Sequence, residues 1–172
     1  MIAILLAGIV ALIVIAAASF TGGVAEPTES PIAGRLEVAE GVSVRLPDGW
    51  EVVERFENGV RIGQGRIAVD IVTRAPGEPA SLIRSYVEEV LVPDATVFNS
   101  TEPVVAEIRG RPAARASYVG RFRQVASLLE GRLVAISYDE LGIVVDAWAA
   151  EGALATADEP INAIIESIEV SP

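Results

Sequence analysis

Apolar and polar residues alternate along most of the chain after residue 35, and this pattern constrains the fold more than any other feature. Successive side chains of a β-strand point to opposite faces, so the alternation predicts strands that are buried on one face. The segment Arg66–Thr73 shows it clearly, with Ile67, Val69 and Ile71 on one predicted face. Turn residues such as those of Pro47–Gly49 close the strands. We therefore predict a sheet of short, mostly antiparallel strands.

The same reading gives the approximate bounds of each strand. A hairpin is predicted about Gly110–Pro112, and a block of strand begins at Thr96 and continues past Glu102. The other predicted strands are Val42–Leu46, Trp50–Phe56, Gly59–Ile62, Arg66–Thr73, Val104–Arg109, Ala113–Phe122, Arg132–Tyr138 and Ile143–Ala149.

Helical spacing interrupts the strand pattern twice. Residues 80–91 carry apolar side chains at helical spacing between Pro79, which opens the predicted helix, and Pro93, which ends it. Residues 158–168 repeat the pattern, and Asp158 is predicted to be the N-cap. The order of strands, helix, strands and helix favours an α+β domain with a central antiparallel sheet over a βαβ array.

The first 25 residues contain no charged side chain, so the formal net charge of −11 belongs entirely to the residues that follow. As a helix, Met1–Phe20 would be about 30 Å long, which matches the hydrocarbon core of a bilayer. We expect a single-pass membrane anchor that places the rest of the chain outside the cytoplasm. The alternative is a signal peptide cleaved near Ala18 or Ala25, giving a secreted protein. Residues 21–34 then form a flexible linker, and residues 35–172 form one domain.

The composition excludes several classes of function. The chain has no His and no Cys, which excludes a thiol nucleophile, a Ser-His-Asp triad and an imidazole or thiolate metal site. The net charge of −11 argues against nucleic-acid binding, which requires phosphate neutralisation. We find neither a glycine-rich phosphate loop nor an alternating acidic run of the calcium-loop type. We therefore expect no cofactor, no metal and a binding domain rather than an enzyme.

An arginine-rich segment is the strongest candidate binding site. Arg115, Arg121 and Arg123 share the odd-numbered face of the predicted strand, whereas the even positions suit the core. Such a basic face can hold a carboxylate, a phosphate or an acidic protein by bidentate contacts. The alternative is a solvated face whose arginines pair with neighbouring acids. An exposed tryptophan at a turn could add a binding anchor, although packing in the core is the alternative. The candidate binding residues are Arg109, Arg111, Arg115, Arg121, Arg123 and Trp50.

Two carboxylates alternate with apolar neighbours in their predicted strands. Asp70 and Asp146 would resemble the acid pair of a glycosidase if they shared a cleft. The alternative is that each is an exposed strand residue or a member of a structural ion pair, because no sequence feature brings the two together.

Several motifs together resemble the PsbP-like family over about residues 36–170. They are the strand entering Pro47-Asp48-Gly49-Trp50, the strand Arg66–Thr73 with the amphipathic helix after it, the hairpin segment Gly110–Tyr118, and the closing segment Ile164–Val170. The resemblance implies a central antiparallel sheet with helices on both faces and a last helix that leads into a terminal β segment. It also implies an accessory or binding role.

The preferred function is a membrane-tethered, extracytoplasmic accessory domain that binds an envelope protein. The first alternative is a carrier of a small apolar or anionic ligand, held in a pocket lined by Tyr118, Phe122 and Trp148. The second alternative is a hydrolase that uses Asp70 or Asp146.

Overall fold

The computed structural model describes residues 34–123 and 125–171. The predicted anchor or signal segment Met1–Phe20, and all but the last residue of the predicted linker 21–34, lie outside the described residues. Within the described ranges, no helix is long and apolar enough to cross a membrane.

The described residues form a large antiparallel sheet, a small antiparallel sheet and two α-helices. Their bounds are β1 Leu36–Ala39, β2 Val42–Val44, β3 Glu51–Phe56, β4 Gly59–Gln64, β5 Ile67–Arg74, α1 Pro79–Tyr86, β6 Ala95–Ser100, β7 Val104–Ile108, β8 Arg111–Phe122, β9 Leu129–Ser137, β10 Gly142–Ala150, α2 Asp158–Glu166 and β11 Glu169–Val170. The large sheet has the strand order β3-β4-β5-β10-β9-β8-β6, and β7 pairs with the half of β8 that β6 leaves free. The small sheet has the order β1-β2-β11.

The large sheet separates two hydrophobic cores, and this arrangement confirms the predicted α+β architecture. On one face, Leu82, Ile83 and Tyr86 of α1 pack against even-numbered residues of β8 and β10. On the other face, isoleucines of α2 and valines of the small sheet pack against odd-numbered residues of β5 and β10. The predicted alternation in β5 is confirmed, because Val69 and Ile71 are fully buried on the α2 side.

Three local predictions need correction. The first helix is α-helical only to Tyr86, and it continues as a π-helical turn over Val87–Leu91. Asp158 is not the N-cap of α2, because a 3-10 turn runs directly into the helix and makes Ala157 the cap. The carboxylate of Asp158 pairs with Arg132 instead. Finally, β1 was not among the predicted strands, although it pairs with β2.

Candidate functional site

The arginine-rich strand β8 has the two faces that the sequence predicts. Ala114, Ala116 and Tyr118 are buried on the α1 side, whereas Arg115 and Arg121 are exposed on the α2 side. Helix α2 covers the middle of that side and leaves the β8–β6 end uncovered, so the arginines there contact solvent. We call Arg115, Arg121 and Arg123 the arginine face; Arg123 directly follows the strand.

Exposed valines lie among these arginines. Val104 of β7 lies opposite Arg115, and Val97 of β6 lies opposite Arg121. Val119 lies between the two arginines on β8 and is 38% exposed. The surface therefore combines guanidinium groups with apolar side chains, which is the composition of many protein-binding surfaces.

The arginine face differs in its charge partners from five of the ten other arginines. Arg35, Arg61, Arg74, Arg84 and Arg132 each lie within 4.0 Å of a carboxylate. Within the described residues, the guanidinium groups of the arginine face make neither an ion pair nor a hydrogen bond. Their charges are therefore available to an external anion.

The two remaining predicted arginines lie at the hairpin turn, away from the arginine face. Arg109 has a positive φ of 52°, and its Nη1 donates a hydrogen bond to the carbonyl of Glu166 at the end of α2 (2.9 Å). Arg111 stacks over the ring of Tyr138, with 4.2 Å between the guanidinium carbon and the ring centroid. Both arginines line a cavity of about 220 Å³. The structure thus divides the predicted arginine cluster into two groups.

Trp50 does not belong to this surface. Only 6% of the residue is exposed, and it packs in the core beneath α2 and the small sheet. The expectation of an exposed Trp50 anchor is therefore wrong. The turn after Pro47 directs the chain back over the sheet. The backbone amide of Trp50 closes this turn by donating a hydrogen bond to the carbonyl of Pro47 (3.2 Å).

A groove runs between α2 and the arginine face. Its volume is about 490 Å³, and its apolar lining includes Val134, Ile161 and Ile165. Its polar lining includes Arg115, Arg132, Asp158, Ser117, Asn162 and Thr101. We call this space the α2 groove.

The opposite face of the sheet contains a buried polar cluster that the sequence did not reveal. Strand register places Arg61 on β4 opposite Asp70 on β5, and Asp70 opposite Asp146 on β10. Directly opposed residues in antiparallel strands have Cβ atoms about 4.5–5.5 Å apart. Asp70 and Asp146 are 6% and 1% exposed. The two carboxyl groups are therefore close neighbours beneath α1.

Two tyrosines hold the carboxyl group of Asp146. The hydroxyl of Tyr118 donates to Oδ1 at 3.0 Å, and the hydroxyl of Tyr86 donates to Oδ2 at 3.3 Å. Burial raises the pKa of Asp146 to about 8; the charge of Asp70 adds to the rise, and the tyrosine hydrogen bonds oppose it. Burial also raises the pKa of both tyrosines well above the ordinary value, with a further contribution from Asp146.

The position of Tyr118 depends on a glycine. Gly131 on β9 lies opposite Tyr118, and a Cβ there would lie 2.0 Å from the Cζ atom of the ring. The tyrosine ring therefore lies across β9 and reaches Asp146 on the next strand. Phe98 and Phe122 pack against the other parts of the ring, with centroid distances of 5.4 Å and 6.3 Å.

Asp70 is neutralised by an arginine. Nε and Nη2 of Arg61 donate to its two oxygens at 2.6 Å and 2.9 Å, and Nη1 donates to Glu54 at 3.1 Å. The guanidinium also lies 5.4 Å from the rings of Phe56 and Trp148. Burial lowers the pKa of Arg61, but the contact with Asp70 outweighs it and the pKa is raised. This bidentate geometry is typical of a structural ion pair.

The two predicted alternatives to a protein-binding surface, an acid pair and a ligand pocket, both fall on buried or partly buried residues. The structure brings Asp70 and Asp146 together, but both are buried, so the pair does not form an open cleft for a substrate. Tyr118 and Phe122 pack in the core with Phe98, and the expected ligand pocket between them is filled. Over residues 34–123 and 125–171, no group of acidic side chains is arranged to hold a metal ion.

Sequence reasoning did not select Arg61, Asn162 or Ser117 as candidate functional residues. Arg61 carried a usable signal, because it lies between the fully buried Val60 and Ile62 and therefore faces the opposite side of the sheet. Ser117 also carried one, because alternation places it on the same face of β8 as Arg115. Asn162 carried none, because its proximity to Arg115 results from the docking of α2 on the sheet.

Comparison with known proteins gives fold-level matches only. No family model matches the sequence, and no curated protein matches it. The solution structure of cyanobacterial PsbP from Synechocystis sp. PCC 6803 superposes with a TM-score of 0.57 at 12% identity, over 87% of this chain and 100% of that one. The chain has a PsbP-like fold.

Two further solved structures are similar to this chain. One is LpqN, which is involved in cell envelope biogenesis of Mycobacterium tuberculosis; it matches with a TM-score of 0.54 at 15% identity, over 76% of this chain and 83% of LpqN. The other is a crystal structure from Bacteroides thetaiotaomicron VPI-5482, with a TM-score of 0.54 at 12% identity. That match covers 77% of this chain and 46% of the other, so this chain spans less than half of its length. At 12% and 15% identity, PsbP and LpqN show the fold of this chain and not its role.

Proposed function

We propose that this protein is a membrane-tethered, extracytoplasmic accessory domain that docks an acidic protein at the cell envelope. The arginine face is the docking surface. The observation that carries the proposal is the uncovered end of the sheet, where three exposed arginines without charge partners in the described residues lie among exposed valines.

Charge is the first argument for this surface. The chain has a net charge of −11, so exposed arginines have many acidic side chains available within the same molecule. Five other arginines form such pairs. The arginine face keeps its charge unpaired at one end of an acidic molecule, which orients an approaching acidic partner and increases the rate of association.

Tethering is the second argument. The apolar segment Met1–Phe20 has the length and composition of a membrane span. A tether holds the domain near the membrane and raises its effective concentration for a membrane-bound partner. The structural neighbour LpqN is involved in cell envelope biogenesis, which supports an envelope location.

A non-catalytic role completes the proposal. The only carboxylate pair that sequence reasoning singled out, Asp70 and Asp146, lies beneath α1, with one member bound by Arg61 and the other by two tyrosines. Both carboxylates therefore have structural partners. This arrangement favours a role in stability over a role in catalysis.

Charge reversal tests the docking surface. The full-length, C-terminally tagged protein is purified from its host membranes in mild detergent, and co-purifying proteins are quantified by mass spectrometry. The test variant carries Arg115→Glu and Arg121→Glu. The matched control carries Arg45→Glu and Arg66→Glu, two exposed arginines outside the arginine face, so both variants change the net charge equally.

We expect a stoichiometric partner with the wild-type protein and the control variant, and at least a tenfold loss with the test variant. Thermal unfolding of the two variants should agree within a few degrees, because all four side chains are exposed. Retention of the partner by the test variant would show that the arginine face is not the docking surface.

A further inference from the structure

We propose that the α2 groove binds a small amphipathic anion, in which an aliphatic chain carries a carboxylate or phosphate group. This inference does not depend on the proposed docking of a protein. It rests on the volume of the groove and on the apolar and polar side chains that line it together.

The groove has the size of a ligand site, and about half of its lining residues are apolar. Ligand pockets are commonly about 300–1,000 Å³ and mostly apolar, with a few polar groups that fix orientation. The α2 groove has about 490 Å³, and side chains of Val134, Ile161 and Ile165 form part of its wall. Val104, which also lines it, is 67% exposed, so the apolar surface continues outward from the groove. A bound alkyl chain would remove this surface from water.

The charge of the groove selects the ligand. Its lining contains two guanidinium groups, Arg115 and Arg132, and one carboxylate, Asp158, which gives a net charge of +1. Arg132 is paired with Asp158, so Arg115 holds the uncompensated charge. An anionic headgroup is therefore favoured over a neutral or cationic one.

Two further groups can complete the recognition of an anion. The hydroxyl of Ser117 and the side-chain amide of Asn162 line the groove together with Arg115. Neither side chain makes a hydrogen bond within residues 34–123 and 125–171. Guanidinium, hydroxyl and amide groups all donate hydrogen bonds, as carboxylate and phosphate oxygens require.

The volume limits the length of the chain. A cavity of about 150 Å³ holds benzene, with its six carbon atoms, so 490 Å³ accommodates at most about twenty non-hydrogen atoms. Octanoate and octyl phosphate fit within this limit, and both are soluble as monomers.

Isothermal titration of the full chain in phosphatidylcholine nanodiscs tests the inference, with empty nanodiscs as the blank. The probes are octanoate, octyl phosphate, octanol and octyltrimethylammonium. We expect both anions to bind at least tenfold more tightly than octanol, and the cation to bind more weakly still. A preference for octyl phosphate would indicate a phosphate headgroup, and a preference for octanoate a fatty acid; either supports the site. Equal binding of octanoate and octanol, or no binding of either anion, would overturn it.

Variants locate the binding within the groove. Arg115→Gln removes the uncompensated charge, and Asn162→Asp places a carboxylate among the lining residues. Both positions are exposed, so neither change should prevent folding. We expect each to weaken binding of the anions about tenfold or more, whereas the control Arg66→Gln leaves it unchanged. If Asn162→Asp has no effect, or Arg66→Gln weakens binding as much as Arg115→Gln, the site is not the α2 groove. Because Asn162 is not part of the arginine face, Asn162→Asp also separates failure of this inference from failure of protein docking.

Discussion

We expect the protein to lose stability as pH rises toward 8, and replacing Asp146 with asparagine should remove most of that loss. The carboxyl group is fully buried, next to Asp70, and its pKa in the folded state is about 8 against an ordinary value of 3.8. Between these two values the folded state holds a proton that the unfolded state has released. The stabilisation is therefore complete below about pH 4 and is lost progressively as pH rises through 8.

The magnitude follows from the difference in pKa. One pH unit in this interval changes the free energy of unfolding by about 1.4 kcal/mol for each proton. From pH 5.5 to pH 7.5 the wild-type protein should therefore lose about 2.5 kcal/mol through Asp146 alone. Asparagine at residue 146 is neutral throughout. Its Oδ1 can accept a hydrogen bond from the Tyr118 hydroxyl, and its Nδ2 can donate one to the hydroxyl oxygen of Tyr86. Asp146→Asn should therefore be nearly as stable as wild type at pH 5.5 and more stable at pH 7.5.

Urea unfolding of the full chain in a neutral detergent, followed by tryptophan fluorescence, measures both proteins at pH 5.5, 6.5 and 7.5. Asp139→Asn is the control, because Asp139 is exposed. It should reproduce the wild-type pH dependence. The reasoning is refuted if Asp146→Asn keeps the full wild-type slope, or if the wild-type free energy of unfolding rises with pH over this range.

Three further changes test the packing around the site, each by urea unfolding at neutral pH. Gly131→Ala should cost about 1–3 kcal/mol, because its new Cβ overlaps the ring of Tyr118; an unchanged midpoint would show that the ring is free to move. Arg61→Met should cost about 3–5 kcal/mol, since Asp70 stays buried without its partner, and wild-type stability would contradict the ion-pair assignment. Trp50→Ala should cost about 3–5 kcal/mol as a core truncation, whereas a surface tryptophan would cost almost nothing.

Much of the fold can be predicted from short-range patterns of apolar, polar and turn residues in the sequence. Alternation places the buried faces of β5 and β8 correctly, because each side of a strand is specified by every second residue. The exposed position of Arg115 and Arg121 follows from the same rule. The antiparallel α+β order of elements also follows, since tight turns join most neighbouring strands.

The buried cluster could not be predicted in the same way. Asp70 and Asp146 are opposed only because β10 returns beside β5, and the register of two strands 76 residues apart is decided by packing of the whole sheet. Burial of Trp50 likewise depends on the small sheet and α2, which close over the turn. Asp158 satisfies the sequence pattern of an N-cap, but its carboxylate forms an ion pair with Arg132 of β9. In each case the position or partner of the side chain is decided by a contact between segments that are distant in sequence.

Site-specific cross-linking tests the central claim, that the arginine face docks a protein partner. The chain has no cysteine, so one substitution gives a single attachment point for a photoactivatable cross-linker. Val119 lies within the arginine face and is 38% exposed, and Val52 on β3 is a matched control at 40%. In host membranes, Val119→Cys should give one dominant adduct with an acidic protein, and Val52→Cys should not. The same adduct from both positions, or an adduct from Val52→Cys alone, would contradict the claim.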